Sequence, residues 1–335
     1  MAAFLSANGY FGLINEVTRG TTPGTGTVQW IPVIEPTITP NLTWLNDHSL
    51  RGSPVENYDQ VPATRSDDTE FKSYLYADTI PAVIRALLGG TDTVTGVTSY
   101  THAIKLLNSA STGSQPVSQS LCVFDGANYF QSAGGQADSA TITFGASAAA
   151  ELTAKYIGNP YTNYTTAQAP FTTLSVSTES LIPAWDTAVT IASTPYTWIE
   201  DGEITIARKT APIFTLGAQG PFQNFAGPVE VSGKFTAVIN SNADAWTAGA
   251  TPSALSRGQE AMTIVLTNPN NQHGAVNDSL TFTMSNAQFE HSKRMLSKSY
   301  TSVEVRFVAV ADTTDASSGY SPLAFTAING VSAAY

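Results

Sequence analysis

The sequence predicts a mainly β protein with two tandem β-sandwich or β-barrel domains, each flanked by one short α-helix. Segments of alternating apolar and polar residues, bounded by Gly, Pro, Asn or Asp, recur along the chain. Helical patterns are few, and 335 residues is about twice the size of a common domain. A similar order of segments also occurs twice, which favours two domains over one large β domain.

The strand pattern begins after a Gly- and Thr-rich lead-in. Alternation is clearest at residues 70–76, 121–124, 140–144, 203–207, 229–239, 262–266, 279–284 and 302–310. The stretch GTTPGTGT at 20–27 offers few apolar side chains to a core. Residues 1–27 are therefore expected to form a flexible N-terminal arm.

Two segments have a helical pattern. In residues 78–88, Asp78 or Thr79 can cap the helix, Pro81 lies in the first turn, and Gly89-Gly90 ends it. A weaker candidate covers residues 242–248. These two segments provide the one short helix expected for each domain.

The two candidate helices follow similar strands, which is the main sign of a duplication. Placing Phe71 on Phe235 also places Leu75 on Ile239, and three strand-like segments follow in each half. This alignment predicts the following division: an arm at 1–27, a first β domain at 28–165, a linker at 166–180, a second β domain at 181–322 and a C-terminal tail at 323–335.

The composition favours an assembling protein over a nucleic-acid binder. Only 12% of the residues are charged, 42% are hydrophobic, and the formal net charge is −11. A surface with few charges loses little solvation when it is buried against other subunits, although secreted β proteins share this feature. This net negative charge does not favour a basic surface for binding nucleic acid. No stretch reaches the ~18 apolar residues of a membrane helix, and the start lacks a signal-peptide pattern, so we expect a soluble protein made in the cytoplasm.

Motifs that carry catalytic chemistry are missing from the sequence. The histidines His48, His102, His273 and His291 are scattered, without the spacing of metal ligands, and the single Cys122 has no partner thiol. No nucleophile elbow or phosphate-binding glycine loop occurs. We therefore expect no enzyme activity, no cofactor, no metal site and no catalytic residues.

Four stretches, taken in their order, resemble the tail tube proteins of long-tailed bacteriophages. They are NEVTRGTTPGTGTVQWIPV, LTWLNDHSLRGSPVENY, EFKSYLYADTIPAVIRALLGG, and IEDGEITIARK followed by EVSGKFTAVIN. The resemblance implies tail-tube-like domains whose inner sheets join those of neighbouring subunits around a hollow ring. Rings of six domains then stack into a tube in the virion tail, which houses the tape measure protein and conducts DNA.

The resemblance also implies partners. If each chain supplies two tube domains, three chains form a pseudo-hexameric ring, with a hexamer as the alternative. The tube then contacts the tape measure protein and the tail tip and terminator proteins, while DNA passes through without specific binding. The double-domain form favours a non-contractile tail, and neither a membrane nor a cofactor is involved.

Two long connections, 47–60 and 209–227, are expected to contact the next ring, because loops longer than a hairpin needs commonly carry function. Arg51 and Glu56 would make polar contacts there, and Phe214, Phe222 and Phe225 would be apolar anchors. In the alternative interpretation, these aromatic residues close the ends of their own domain.

Acidic strand residues are the candidates for the lumen, because carboxylates repel phosphate. They are Asp68, Glu70 and Glu230. Strand alternation places Asp68 and Glu70 on one face and Asp67 on the other. An outer solvated face is the alternative for each of them.

A competing function is a tandem Ig-like binding module, such as an adhesin or a carbohydrate binder. It predicts a monomer with a ligand groove that contains exposed tryptophans, for which Trp185, Trp198 and Trp246 are candidates.

Overall fold

The chain folds mainly into β-strands, so the predicted fold class is confirmed. The computed structural model describes residues 8–34, 36–239, 259–296 and 299–335. The strands of the first half are β1 (Tyr10–Asn15), β2 (Gln29–Ile31), β3 (Thr37–Asp47), β4 (Asp59–Tyr74), β5 (Thr93–Gly96), β6 (Tyr100–Lys105), β7 (Gln119–Phe124), β8 (Tyr129–Gly145), β9 (Glu151–Gly158) and β10 (Thr162–Tyr164). Those of the second half are β11 (Thr187–Ile191), β12 (Thr194–Tyr196), β13 (Ile199–Ala207), β14 (Ala211–Ile213), β15 (Gln223–Phe225), β16 (Glu230–Val238), β17 (Gln259–His273), β18 (Val276–Met295), β19 (Ser302–Ala309) and β20 (Ala324–Asn329).

One long antiparallel sheet crosses both halves in the order β3-β4-β9-β8-β13-β16-β19-β18. Strands β8 and β13 join the halves, with residues 139–145 of β8 paired to residues 201–207 of β13. Along each strand, alternate side chains enter the core, including Phe71 and Phe235, which are both buried. The main apolar core extends across both halves, and a smaller separate cluster consists of Ile14, Trp30, Cys122 and Phe171.

A second layer covers the core face of this sheet. In the first half, β7 pairs with β1 and with the beginning of β8. In the second half, β17 pairs with β11 and β18, while β20 connects β18 to β6. The long strands β8 and β18 thus belong to both layers. The result is sandwich-like, and the described strands do not close into a barrel.

The strand order repeats between the halves. The first half pairs its strands in the order β2-β1-β7-β8-β9-β4-β3. The second half pairs its strands in the order β12-β11-β17-β18-β19-β16-β13. Strand β10 pairs with β8 as β20 pairs with β18. The two halves therefore share one connectivity, to which the hairpins β5–β6 and β14–β15 are additions.

Helix α1 (Ile80–Leu88) occupies the end of the predicted helical segment. Pro81 lies in its first turn, Thr79 is at the N-cap position, and Gly89 ends the helix with a left-handed backbone (φ 75°) that suits glycine. The helix has nine residues and is almost entirely buried. No described helix has the length and apolarity needed to cross a membrane. The second helix candidate, residues 242–248, lies outside the described residues.

Part of the predicted flexible arm is built into the fold. Strand β1 pairs with β7 through its whole length, and Phe11 and Leu13 are buried. The buried Glu16 carboxylate accepts hydrogen bonds from the Gly20 and Gly134 amides and from the Ser118 and Ser120 hydroxyls. Composition predicted flexibility because residues 20–27 are irregular. The apolar residues before them and the buried carboxylate instead attach this segment to β7 and β8.

Candidate assembly surfaces

The long sheet has a continuous polar face opposite its core face. Its middle carries hydroxyl side chains, such as Thr141 on β8, whose hydroxyl lies 2.9 Å from that of Thr205 on β13. The same face carries the acidic residues Asp68, Glu70, Glu151, Asp201, Glu203, Glu230 and Glu304 and the basic residues Lys72, Lys155, Lys234, Lys293 and Arg306. Acidic residues therefore outnumber basic ones on a surface that is otherwise rich in Thr and Ser.

All three acidic lumen candidates lie on this polar face. Asp68 and Glu70 are neighbours on β4, while Asp67 points into the protein and pairs with Arg65 at 2.6 Å. Two candidates are partly neutralised, because Lys155 lies 2.9 Å from Asp68 and Lys209 lies 2.7 Å from Glu230. The hydrogen bond with Asp68 raises the pKa of Lys155 and keeps it charged. The face is thus a mixed polar surface with an acidic excess rather than a wall of carboxylates.

Strand β3 is one edge of the long sheet. Among the described residues it pairs with β4 alone. Pro40 lies within it, which fits an edge strand because proline lacks an N–H for the ladder. Beyond residue 42, β3 and β4 continue as a two-stranded ribbon with exposed Trp44, Leu45 and Val61. This edge offers backbone hydrogen-bonding groups and apolar area to another chain.

The other edge is the end of β18. Residues 291–295 pair with β19 on one side, and no strand in the described part of the chain pairs with the other side there. In the first half, the equivalent part of β8, residues 139–145, pairs with β9 on one side, as β18 pairs with β19. Its other side is paired with β13. The sheet thus ends in the second half at the position where the first half receives β13.

The two predicted contact loops both project from the protein. Between β3 and β4, residues 48–57 are exposed, and Leu50 has its full side-chain surface in solvent. Arg51 forms an ion pair with Asp47 and stacks over the Tyr58 ring at 5.0 Å, while the Glu56 carbonyl accepts from His48. The loop is therefore organised by its own polar contacts.

The second connection, 209–227, contains the hairpin β14–β15. Phe222 is 70% exposed and Phe225 is 44% exposed, while Phe214 is half-buried. The Gln219 carbonyl accepts from the Arg65 amide on β4, which places this loop beside the β3–β4 ribbon. The two loops and the ribbon form one projecting region, in which the base of the second loop is fixed to the first half by hydrogen bonds of Thr210, Asn224 and Ala226.

The structure also exposes two of the tryptophans considered for a binding groove. Trp185 is 64% exposed and Trp198 is 52% exposed. Trp246 lies outside the described residues. Lys293, near the end of β18, is also exposed.

Sequence reasoning missed a cluster of ionisable residues between the halves. Glu179, His273 and Asp278 bring one ligand-type atom each to within 4.8 Å of one another. Asp78, just before α1, adds a third carboxylate whose charge acts on Glu179. Burial, together with the charges of Asp78 and Asp278, raises the pKa of Glu179 to about 8. The residues come from distant parts of the chain, so no spacing motif could have identified them.

Two comparisons with known proteins are informative. A family model described as phage tail tube protein matches residues 6–292. No curated protein matches the chain significantly.

Proposed function

The chain belongs to the phage tail tube protein family and is thus a structural, self-assembling protein of the virion tail. From this premise, we propose that its subunits close into rings by pairing β3 of one copy with β18 of the next. The observation that carries the proposal is the β8–β13 pairing within the chain. Because the halves share one connectivity, β13 on β8 is a template for β3 on β18. The same contact is then made once inside each chain and once between chains.

The template specifies the position on β18. In the first half, Phe71 pairs with Ala154 and Ala154 with Ala140. In the second half, Phe235 pairs with Val305 and Val305 with Ser292. Matching the two phenylalanines makes Ala140 equivalent to Ser292. It follows that Thr141, the next residue of β8, is equivalent to Lys293.

The template also specifies the position on β3. Thr39 pairs with Asp68 on β4, as Thr205 pairs with Ser232 on β16, and the same alignment of halves matches these pairs. Thr205 faces Thr141 inside the chain. The expected contact between copies therefore places Thr39 opposite Lys293.

Ring size follows from the two halves. Three copies of the eight-stranded sheet, at ~4.8 Å between strands, give a circumference of roughly 115 Å and a diameter of roughly 37 Å, and strand tilt enlarges both. A trimeric ring with six tube-like units, the predicted 28–165 and 181–322 extended by β1 and β20, is the form we propose, with a hexamer of chains as the alternative. Closure would pair both sheet edges and remove the aggregation hazard of open edges.

The polar face is the surface we assign to the lumen, because the core face is covered by the second layer. Its acidic excess, which includes Asp68, Glu70 and Glu230, would disfavour DNA adhesion and let the duplex slide. This lumen would house the tape measure protein during assembly and conduct DNA afterwards. The projecting region with Arg51, Glu56 and the three phenylalanines would contact the next ring, and the ends of the tube would meet terminator and tail tip proteins.

Cysteine cross-linking tests the ring contact. The double variant Thr39→Cys/Lys293→Cys should form disulfide-linked oligomers under mild oxidation, because residues opposite each other in antiparallel strands have Cα atoms about 4.5–5.5 Å apart. The buried Cys122 does not compete, since burial raises the pKa of its thiol to about 12. Non-reducing gels with mass photometry would detect closed trimers.

The matched control is Asp68→Cys/Lys293→Cys. Asp68 lies one strand further from the edge than Thr39, on the same face, so its Cα would be too far from residue 293 for a disulfide. Equal cross-linking of both pairs, or monomers only at every concentration, would contradict the proposal. Monomers that bind glycans through Trp185 or Trp198 would instead support the binding-module alternative.

A further inference from the structure

Three distant segments form a carboxylate-rich site where the two halves meet, and the first of them contributes Asp78 just before α1. Glu179 lies in the connection between the halves, and His273 and Asp278 lie beside the turn between β17 and β18. The His273 Nδ1 and Asp278 Oδ1 atoms are 2.8 Å apart. One potential ligand atom from each of the three residues lies within 4.8 Å of the others. This spacing is compatible with three side chains around one ion.

Each carboxyl group at this site has one oxygen atom without a hydrogen-bond partner. The Asp278 side chain is completely buried, and its Oδ2 atom has no hydrogen-bond partner. The Glu179 Oε2 and Asp78 Oδ1 atoms are also buried without a hydrogen-bond partner. Buried charged oxygens without partners are costly, so groups of this kind usually pair or coordinate metals.

The surroundings hold the site in place. The Asn268 side-chain amide donates to the Ser180 carbonyl at 2.7 Å, and the Ser177 hydroxyl accepts from the Glu179 amide at 3.1 Å. The lack of a side chain at Gly330 leaves room for the His273 ring, since a Cβ at residue 330 would lie only 2.2 Å from the His273 Nε2 atom. The connection is thus fixed against β17 with its carboxylate beside the imidazole.

We propose that Glu179, His273 and Asp278 bind one divalent transition-metal cation of the Zn²⁺ type. The His273 imidazole favours a metal of the Zn²⁺ type, because Zn²⁺ binds nitrogen ligands together with carboxylate oxygens. Ca²⁺ and Mg²⁺ prefer oxygen ligands alone. Asp78 contributes negative charge from the start of α1. The ion would hold the connection between the halves against the β17–β18 turn, and so would stabilise the folded subunit whether or not rings form.

Metal titration of the full chain tests this site. The chelator-treated protein is titrated with ZnCl₂ by calorimetry, with MnCl₂, CaCl₂ and MgCl₂ in parallel, and bound metal is counted by mass spectrometry. We expect one Zn²⁺ per chain and a rise in the melting temperature of about 3 °C or more at saturation, because a ligand that binds only the folded state stabilises it. Ca²⁺ and Mg²⁺ should bind at least tenfold more weakly.

Variants separate this site from adventitious binding. Glu179→Gln and His273→Gln should each weaken Zn²⁺ binding tenfold or more and remove the Zn²⁺-dependent rise in melting temperature. Glu179→Gln should leave the metal-free protein as stable as the wild type or more stable, because the amide keeps the shape of the side chain without an ionisable group beside Asp78 and Asp278. The matched control Glu230→Gln, which breaks only an exposed ion pair, should bind Zn²⁺ as the wild type does.

Two outcomes would overturn the proposal. The first is no stoichiometric metal binding by the wild type, in which case the carboxyl groups are a proton-sharing cluster only. The second is equal Zn²⁺ binding by the wild type and by Glu179→Gln and His273→Gln, which would place the ion elsewhere. Neither result bears on the β3–β18 cross-link, so failure of this site is distinguishable from failure of ring formation.

Discussion

His102 and Asp92 form a fully buried pair between β6 and the last residues of the chain. The His102 Nδ1 and Asp92 Oδ2 atoms are 2.8 Å apart, and the Val331 carbonyl lies 2.8 Å from His102 Nε2. The Tyr335 ring packs on the His102 imidazole, and the Tyr335 backbone amide donates a hydrogen bond to the same Asp92 oxygen. Burial lowers the pKa of His102, but the hydrogen bond and charge of Asp92, with Val331 and Asn329, outweigh it, so the net shift is upward.

This pair predicts a pH-dependent contribution to stability. A histidine whose pKa is raised on folding contributes its full stabilisation below the unfolded value of about 6.5. That contribution is lost as the pH rises through the folded pKa. His102→Gln should therefore cost more at pH 5.5, about 2–3 kcal/mol for a charged hydrogen bond, than at pH 9. Urea unfolding at both pH values would measure this difference.

His48→Gln is the control for His102, because the His48 ring is exposed. It should keep the wild-type dependence of stability on pH. An equal cost of His102→Gln at pH 5.5 and pH 9 would show that packing alone explains the role of His102.

Helix α1 depends on a residue from the other half of the chain. The buried Arg208, just after β13, donates to the Leu87 and Leu88 carbonyls at the end of α1 and to the Gly227 carbonyl. These helix carbonyls lack partners within the helix, and a cation there also suits the helix dipole. Burial lowers the pKa of Arg208 to about 10, so the side chain remains charged at neutral pH.

Replacing this side chain should destabilise the protein strongly. Arg208→Met keeps the apolar stem but removes the donors to the Leu87 and Gly227 carbonyls, while the Leu88 carbonyl keeps the Leu107 amide. The loss should lower the free energy of unfolding by about 2–4 kcal/mol. The control Arg306→Met, which breaks an exposed ion pair with Glu304, should cost less than about 1 kcal/mol. Denaturant unfolding of both variants gives the comparison, and equal costs would contradict the capping role.

At the scale of the whole molecule, the surfaces that we propose for ring closure and for ring stacking are separate. The edges β3 and β18 lie at opposite ends of the long sheet, whereas the exposed Leu50 and Phe222 lie in projecting loops. A change in these loops should therefore affect tube growth without affecting ring closure.

The double variant Leu50→Asp/Phe222→Asp should form rings but few tubes, because charged groups at an apolar contact must be desolvated without a partner. Electron microscopy would give the tube lengths, and the Thr39→Cys/Lys293→Cys cross-link would report rings. The control Val97→Asp changes an exposed residue in the β5–β6 turn and should form tubes of normal length. Normal tubes from the double variant would exclude these loops as stacking contacts.

Local pattern by itself determined much of this protein. Alternation placed Asp68 and Glu70 on one face of β4 and Phe71 in the core, because strand side chains alternate whatever the strand pairs with. The glycine after Leu88 marked the end of α1 for a similarly local reason. The ordered stretches also identified the family that the family model matches.

Tertiary structure decided which segments meet. The pairing of β8 with β13, the capping of α1 by Arg208 and the meeting of Glu179 with His273 and Asp278 all join residues far apart in the chain. A periodic pattern specifies the buried face of a strand but not its neighbour, since many strands present equivalent edges. Contacts of this kind depend on how the whole chain packs, and therefore only the folded molecule defines them.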